Sequence, residues 1–399
     1  MNVAHQISLF DGSQPLKITK PIRLIELFAG IGAQAKSLER LGAEFEHYRV
    51  CEFDDYAVTS YNAIHETNFE PSDITEWKGE DLGIVDVDHF TYLLTYSYPC
   101  QSLSLAGRQE GMVEGSGTKS SLLWEVKRLL TETAELPQIL VMENVPQVLN
   151  AKNKIEFNKW LKFLETKGYT SKYQILNAKD YEVPQNRERC FMVSWLGNDY
   201  YYEFPAPKPL KKIFRDILQP QDEIADKYYL SEKGLNYLFS RMSLKQKDDI
   251  TEKDMQYDSI IRLPHGWNEG EWERKDVCPT IDTGIGKWHI LIGRSDIILF
   301  DKYNAKQIDS DICGTITSAC SHNGSGTFCV KSQNSPVRNL TQKECWRLMD
   351  FDDEDYEKAR KALNDTFYKG KDKSGTQLYK QAGNSIVVNC LTQIFKQML

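Results

Sequence analysis

The sequence predicts an α/β chain, a parallel sheet covered by helices together with a smaller loop-rich, β-containing domain. Three observations predict it. Short apolar runs alternate with amphipathic stretches through the first half; a glycine turn follows the first of those runs; and the alternation stops at FPAPKPLKK before a helical period returns near residue 339.

The elements follow in order. IRLIELF (Ile22–Phe28) reads as a buried strand, followed by a glycine turn and a helix through AQAKSLERLG that Gly42 closes. YRVCE is the second strand, with a helix over Tyr56–Ile64. YLLTYS runs into Tyr98-Pro99-Cys100, and beyond a glycine-rich loop LLWEVKRLLTETA carries a strong helical period. ILVME (Ile139–Glu143) is the next strand, EFNKWLKFLETKG a helix ending at a glycine, and CFMVSWL a later strand. Pro205, Pro207 and Pro209 then mark a boundary. Residues 1–204 are read as a first domain, 205–337 as a second, and 338–399 as a segment returning to the first. Within the second, CPTIDT (Cys278–Thr283) and CGTITS (Cys313–Ser318) echo each other, over too few residues to make a repeat. LTQKECWRLMDF and the apolar C-terminal AGNSIVVNCLTQIFKQML are helical.

Composition narrows the function classes. With 399 residues and 41% apolar content the chain can bury a large core, which excludes disorder and allows two domains. No apolar run is long enough for a membrane span, and MNVAHQISLFDG lacks the zones of a secretory signal, so a cytoplasmic protein is expected. Nine scattered cysteines without a CxxC pair or a Cys/His cluster at zinc spacing predict neither a disulfide framework nor a metal. The net charge of -8 counts against a nucleic-acid partner. The acids are concentrated in Asp350–Glu357, however, while Lys208, Lys211, Lys212 and Arg215 cluster, as do Lys331, Arg338, Lys343 and Arg347. A basic cleft on an acidic body is one reading of those clusters, and solvated faces are the other.

Four constellations can carry chemistry. In FAGIG (Phe28–Gly32) a strand meets a helix, where glycine lets a ligand approach the backbone and the helix N-terminus. Glu52 stands about twenty residues on, at the spacing of a ribose-binding acid, and Asp73 beyond the next turn is placed to reach an adenine amino group; a ligand-free turn is the alternative. Cys100 leaves a strand at the carboxyl edge of the sheet, before a loop carrying Gly107, Gly111, Gly115 and Gly117. A lone cysteine is more often a small buried hydrophobe, but a strand end before such a loop offers poor burial. Glu143 in MENVP ends another strand on the same edge, as a general acid if burial raises its pKa or as a turn cap if it does not. In QNRER (Gln185–Arg189), Arg187 and Arg189 point the same way in an extended chain, to orient a carboxylate, phosphate or base carbonyl, or to pair on the surface.

In order and spacing, FAGIG, Glu52, YPCQS, ENV, QNRER and QAGNSIVV closely resemble the motif series of the cytosine-5 DNA methyltransferases of bacterial or phage type. The resemblance covers Ile22–Trp195 and Arg338 onward, with SYPCQ where GFPCQ is usual and Phe53 where an aromatic, often tryptophan, stacks on adenine. It implies a Rossmann-like S-adenosylmethionine-dependent methyltransferase sheet, with residues 205–337 as target-recognition domain. It implies methyl transfer to ring carbon 5 of a flipped-out cytosine in double-stranded DNA, with S-adenosylhomocysteine as the second product and no metal. Cys100 would be the nucleophile, Glu143 the group on ring nitrogen 3, Arg189 a contact to the base carbonyl, Arg187 a support for Cys100 or the adjacent backbone, and Gln101 part of the closing loop. Phe28, Gly30, Gly32, Glu52, Phe53, Asp73, Ile74, Pro99, Leu122, Asn384 and Ile386 match the cofactor pocket, and Ser102, Arg108 and Thr315 the DNA contacts. A monomer at the nucleoid, with a separately encoded restriction endonuclease as a possible companion, completes the expectation. Among rivals, a tRNA cytosine-5 methyltransferase shares most motifs but carries a CFT tripeptide absent here. A catalytically inactive DNA-binding relative is at odds with Cys100, Glu143 and both arginines. A nicotinamide-dependent oxidoreductase finds no use for them.

Overall fold

The computed structural model describes residues 13–100, 102–103, 111–229 and 338–399, with short strands from Leu291 to Lys331 in the stretch between. Gln101, Arg108 and Thr315 lie outside the described residues, as does the segment CPTIDT.

Six strands form the central sheet: β1 (Ile22–Leu27), β2 (Phe45–Cys51), β3 (Thr91–Tyr96), β4 (Ile139–Asn144), β5 (Tyr169–Asn177) and β6 (Glu188–Leu196), in the spatial order β2-β1-β3-β4-β6-β5. The first four in that order are parallel. The last two are antiparallel: β6 runs against β4 with Asn144 opposite Cys190, and β5 runs against β6 with Asn177 opposite Glu188. The sheet is therefore mixed, and β5 has no counterpart in the sequence reading. Lys172, Tyr173, Gln174 and Ile175 within it are all exposed, as on an edge strand and unlike a buried apolar run. The antiparallel turn has a consequence for chemistry. It brings the start of β6, with Arg189, to the edge at which β1, β3 and β4 end.

Side chains alternate between the two faces, as a pleated strand requires. Leu24, Leu93, Val141 and Val193 enter one core, and Ile25, Leu94, Leu140 and Met192 the other. Helices α3 (Leu123–Glu132) and α4 (Lys154–Thr166) cover the second face through Val126, Leu129, Phe157 and Trp160. The first face receives α1 (Ala33–Arg40) and, beside it, four helices from the end of the chain: α5 (Gln342–Leu348), α6 (Asp353–Tyr368), α7 (Gly375–Asn384) and α8 (Val388–Lys396). Helix α2 (Asp55–His65) packs between β2 and α6. The helices after residue 338 thus pack on the core of the central sheet. Phe214 and Ile217 are buried in the same core, and Lys208 N–H donates to the Asp180 carbonyl at 2.7 Å.

Four of the eight basic residues in the two charge clusters pair with acids. Arg338 is buried in a bidentate pair with Glu344 (2.9 and 2.8 Å), Lys343 reaches Glu357 at 2.7 Å, and Arg347 grips Asp353 through two 2.7 Å bonds. Lys211 pairs with Glu182 at 2.7 Å. The acidic run, for its part, starts a helix: Asp353, Glu354 and Asp355 occupy the first turn of α6, where the helix dipole favours negative charge. Among the described residues no helix is long and apolar enough to cross a membrane.

Phe395 on α8 has no exposed surface. Phe395→Ala is expected to lower unfolding free energy by about 3–5 kcal/mol in urea titrations. Lys162→Ala, at an exposed pair on α4, should leave the midpoint in place.

Candidate active site

The glycine turn is built by alternating backbone handedness. Phe28, Gly30 and Gly32 have φ of 59°, 58° and 79°. Left-handed φ is costly for a bulky residue such as Phe28, whose N–H is nonetheless held by the Cys51 carbonyl at 2.8 Å. The two glycines serve different ends. A Cβ on Gly30 would meet nothing within 4 Å, so this position borders open space. A Cβ on Gly32 would collide with the rings of His65 and Tyr61, so here glycine is needed for packing against α2. Glu52, just past β2, closes the turn from the next strand: its Oε2 accepts from Gly30 N–H and its Oε1 from Asp54 N–H, each at 3.0 Å. Burial raises its pKa, and those backbone donors oppose the shift. Phe53 beside it is 70% exposed. Asp73 takes Thr75 N–H and hydroxyl on one carboxylate oxygen at 2.9 and 2.8 Å, and Ile74 is buried behind it.

Cys100 lies four residues past the end of β3 on a pinned backbone. The Tyr98 carbonyl accepts from Asn144 Nδ2 at 2.9 Å, the Pro99 carbonyl from the Ser120 hydroxyl at 2.6 Å, and the Cys100 carbonyl from Leu103 N–H at 2.9 Å. Ser120 also accepts from Ser102 N–H at 3.3 Å, so one buried hydroxyl holds the chain on both sides of the thiol. Gly111 N–H bonds the Ser102 carbonyl at 3.0 Å and closes the base of the following loop. Ser102 itself is buried. Leu122 is partly buried against this core just before α3.

Three charges surround that thiol. Glu143 Oε1 lies 3.0 Å from Arg189 Nε, with the two side chains only 12% and 13% exposed. Burial raises the Glu143 pKa against the pull of Arg189 and Arg187. Burial likewise raises that of Cys100, while Arg189 and Arg187 lower it and Glu143 adds to it. Arg187 points inward rather than to the surface: its Nη2 donates to the carbonyls of Gly383 (3.1 Å) and Ser385 (2.8 Å) at the end of α7. Burial, then the charge of Arg189, pulls its pKa down to about 9, leaving it a cation at neutral pH. Asn384, between those two carbonyls, is exposed, and Ile386 is buried.

The expected site residues therefore gather on one edge of the sheet. Phe28, Gly30 and Glu52 cap β1 and β2; Pro99 and Cys100 follow β3; Glu143 ends β4; Arg189 opens β6. Helix α7 is tied to α2 and its N-cap by Gln381, which bonds Ser60 (3.1 Å) and the Tyr56 carbonyl (2.9 Å), and by Lys380 on Asp54 (2.5 Å). Next to QNRER, Cys313–Gly314 pairs in parallel with Gln185–Asn186, which brings the residues just before Thr315 to the same region. Asn144 and Ser120 escaped the sequence reading. ENV and SS are visible there, but their bonds to the backbone around Cys100 depend on strand order.

A model of the C-5 cytosine-specific DNA methylase family matches residues 22–399. The type II methyltransferase M2.ScrFI of Lactococcus lactis subsp. cremoris is 28% identical over 428 residues, covering 94% of this chain and 99% of that protein. The orphan methyltransferase M.SssI of Spiroplasma monobiae is 35% identical over 274 residues, 54% of this chain and 70% of that one. In fold, the chain is similar to the Dnmt2 methyltransferase of S. pombe, with a TM-score of 0.60 at 17% identity over 94% of this chain and 97% of the other. The matched span takes in the glycine turn, the Cys100 strand end, Glu143, both arginines and the returning helices, and the chain belongs to the C-5 cytosine-specific DNA methylase family.

Proposed function

We propose that the chain transfers a methyl group from S-adenosylmethionine to ring carbon 5 of a cytosine rotated out of double-stranded DNA, with Cys100 as covalent nucleophile. The observation that carries this reading is the placement of a half-buried thiol on a pinned strand end among Arg189, Glu143 and Arg187.

The residues around the glycine turn fit the cofactor. Gly30 borders open space, Glu52 presents a fixed carboxylate with lone pairs to spare for ribose hydroxyls, and exposed Phe53 offers a ring for adenine. Asp73, Ile74, Pro99, Leu122, Asn384 and Ile386 complete the pocket in this reading. When bound there, the sulfonium supplies the methyl group as an electrophile.

The chain's own groups do the rest. The Cys100 thiolate adds to ring carbon 6, forming a carbon–sulfur bond, while Glu143 donates to ring nitrogen 3 so that charge does not build up on the ring. Burial raises the Glu143 pKa, the direction that favours the proton this step needs. Electron density then reaches carbon 5, which takes the methyl group. A water takes the carbon 5 proton, the freed electron pair re-forms the ring double bond and expels the Cys100 thiolate, and the ring-nitrogen proton returns to Glu143. Arg189 orients Glu143 and meets the base carbonyl. Arg187 holds the C-terminal segment against this edge. Gln101, Ser102 and Arg108 belong to the loop that closes on DNA, and the stretch up to residue 337, Thr315 included, reads the target sequence.

With duplex containing 5-fluorocytosine, wild type is expected to form a covalent adduct mapping to Cys100 and Cys100→Ala none; an adduct on another cysteine would refute the assignment. Methylation of tRNA in preference to duplex DNA would overturn the substrate class. Glu143→Gln should slow single-turnover transfer by about 10²-fold or more. The charge balance gives a paired test of opposite sign, read as the pH midpoint of Cys100 alkylation by mass spectrometry. Arg189→Gln removes a charge that lowers the thiol pKa and moves the midpoint up; Glu143→Gln removes one that raises it and moves the midpoint down. Shifts of the same sign in both variants would show that the thiol does not sense these charges.

A further inference from the structure

Behind the glycine turn three side chains from three elements converge: Glu39 on α1, His47 on β2 and His65 on α2, with one ligand atom of each within 4.8 Å of the others. We propose that they bind one divalent transition-metal ion of zinc-like chemistry, through two imidazole nitrogens and one carboxylate oxygen.

Hydrogen bonding settles which nitrogens are offered. His65 Nε2 faces the Ile31 carbonyl at 3.2 Å. A carbonyl only accepts, so Nε2 carries a hydrogen, and in the neutral ring Nδ1 is a lone pair. That Nδ1 lies 2.6 Å from Glu39 Oε1, a separation two lone pairs hold only with a cation between them. A proton serves at this separation, and a metal ion takes its place once the two atoms open to about 3.3 Å. On the other side, Tyr61 gives its hydroxyl hydrogen to Glu26 at 2.5 Å. The 2.9 Å contact between the Tyr61 oxygen and His47 Nδ1 therefore takes its hydrogen from the imidazole. His47 Nε2 is left as a lone pair, 3.9 Å from the same Glu39 oxygen.

Each imidazole thus has the outer partner that metal-ligating histidines carry, a backbone carbonyl for His65 and a tyrosine–carboxylate pair for His47. Tetrahedral binding at about 2.0–2.1 Å sets ligands about 3.3 Å apart. The 2.6 and 3.9 Å separations each need to change by about 0.7 Å or less. Glu39 can make that change: its side chain is 31% exposed, whereas that of His65 is 0% exposed. Glu39 and His65 also border a cavity of about 380 Å³, an entry route. The opposing charge is Lys36, 3.6 Å from the other Glu39 oxygen, but Asp355 holds it more closely at 2.8 Å. Two imidazoles with one carboxylate select zinc, nickel or copper over magnesium or calcium. Through the Ile31 carbonyl and the contact of His65 with Gly32, the ion would brace the glycine turn from beneath.

The test is independent of the role of Cys100, because it reads metal uptake rather than methyl transfer. The full chain is titrated with Zn²⁺ against a chromophoric indicator, and with Co²⁺ in the visible range. One equivalent is expected to bind, with tetrahedral cobalt bands and no sulfur-to-cobalt charge transfer. Affinity should fall about tenfold or more in His47→Ala and in Glu39→Gln. Zn²⁺ should raise the Tm of wild type but not of Glu39→Gln, whose near-isosteric change at a partly exposed position preserves the fold. Unchanged binding in both variants, or a sulfur charge-transfer band placing the ion on cysteines, would overturn the proposal.

Discussion

The architecture depends on a sheet with two apolar faces and a chain whose first half supplies too few helices for both. Helices α3 and α4 cover one face; on the other, α1 leaves Val141, Val193 and Trp195 to be covered by helices that follow residue 338. Leaving those side chains in water would forfeit about 1.5–3 kcal/mol each, a large fraction of the stability of an ordinary domain. The far end of the chain must therefore dock for the front end to be stable. Arg187 converts that docking into registry at the site, since its guanidinium bonds two carbonyls at the end of α7 from the residue before β6. The α2 side and the thiol side meet because one segment is tied to both.

At the carboxyl edge, desolvation competes with pairing, and the outcome differs by group. For Glu143 and Cys100 burial wins and favours the neutral forms, despite two guanidinium groups nearby. A buried pair such as Glu143–Arg189 is weak evidence for stability, because desolvating two ions consumes most of what their attraction returns. Its value is geometric. The Glu143 carboxyl is held in place with its proton affinity raised, beside a thiol whose pKa burial also raises. Arg338–Glu344 has the same burial and no reacting partner, and there the pair fastens α5 to the preceding strand residues.

The sequence made the parallel strands and the edge legible because both are written in local signals. Apolar runs end at FAGIG, YPC and MEN, and a parallel strand delivers whatever follows it to the same side. What was hidden needed pairing information. β5 carries a run of four exposed residues that resembles a loop until β6 is set beside it. Arg187 and Arg189 are two residues apart and looked equivalent, yet one is spent on backbone carbonyls and the other on Glu143, a division set by what packs above them. The pairing of Arg338, Lys343, Arg347 and Lys211 was hidden because their acidic partners, Glu344, Glu357, Asp353 and Glu182, are dispersed in sequence or were assigned to a separate acidic run. Glu39, His47 and His65 match no ligand spacing, being one residue from each of three elements.

FAGIG shows how far a motif can mislead about its own cause. Both glycines invite the reading that a ligand comes close to the backbone, and for Gly30 the open space agrees. Gly32 answers to a different neighbour, the His65 ring below it. That ring is held by Glu39 and the Ile31 carbonyl, and it lies against Tyr61, which is bonded to Glu26 on β1. Burial pushes the Glu26 carboxyl up to about 7, against the Tyr61 bond, so an expensive group is kept in the sheet directly beneath the turn. Apolar packing alone would leave the backbone of residues 28–32 free to relax from the left-handed conformation of Phe28. A directional network fixes both the rings and the carbonyl they contact. The shape of the upper surface of the turn is thus decided by polar groups on its lower side.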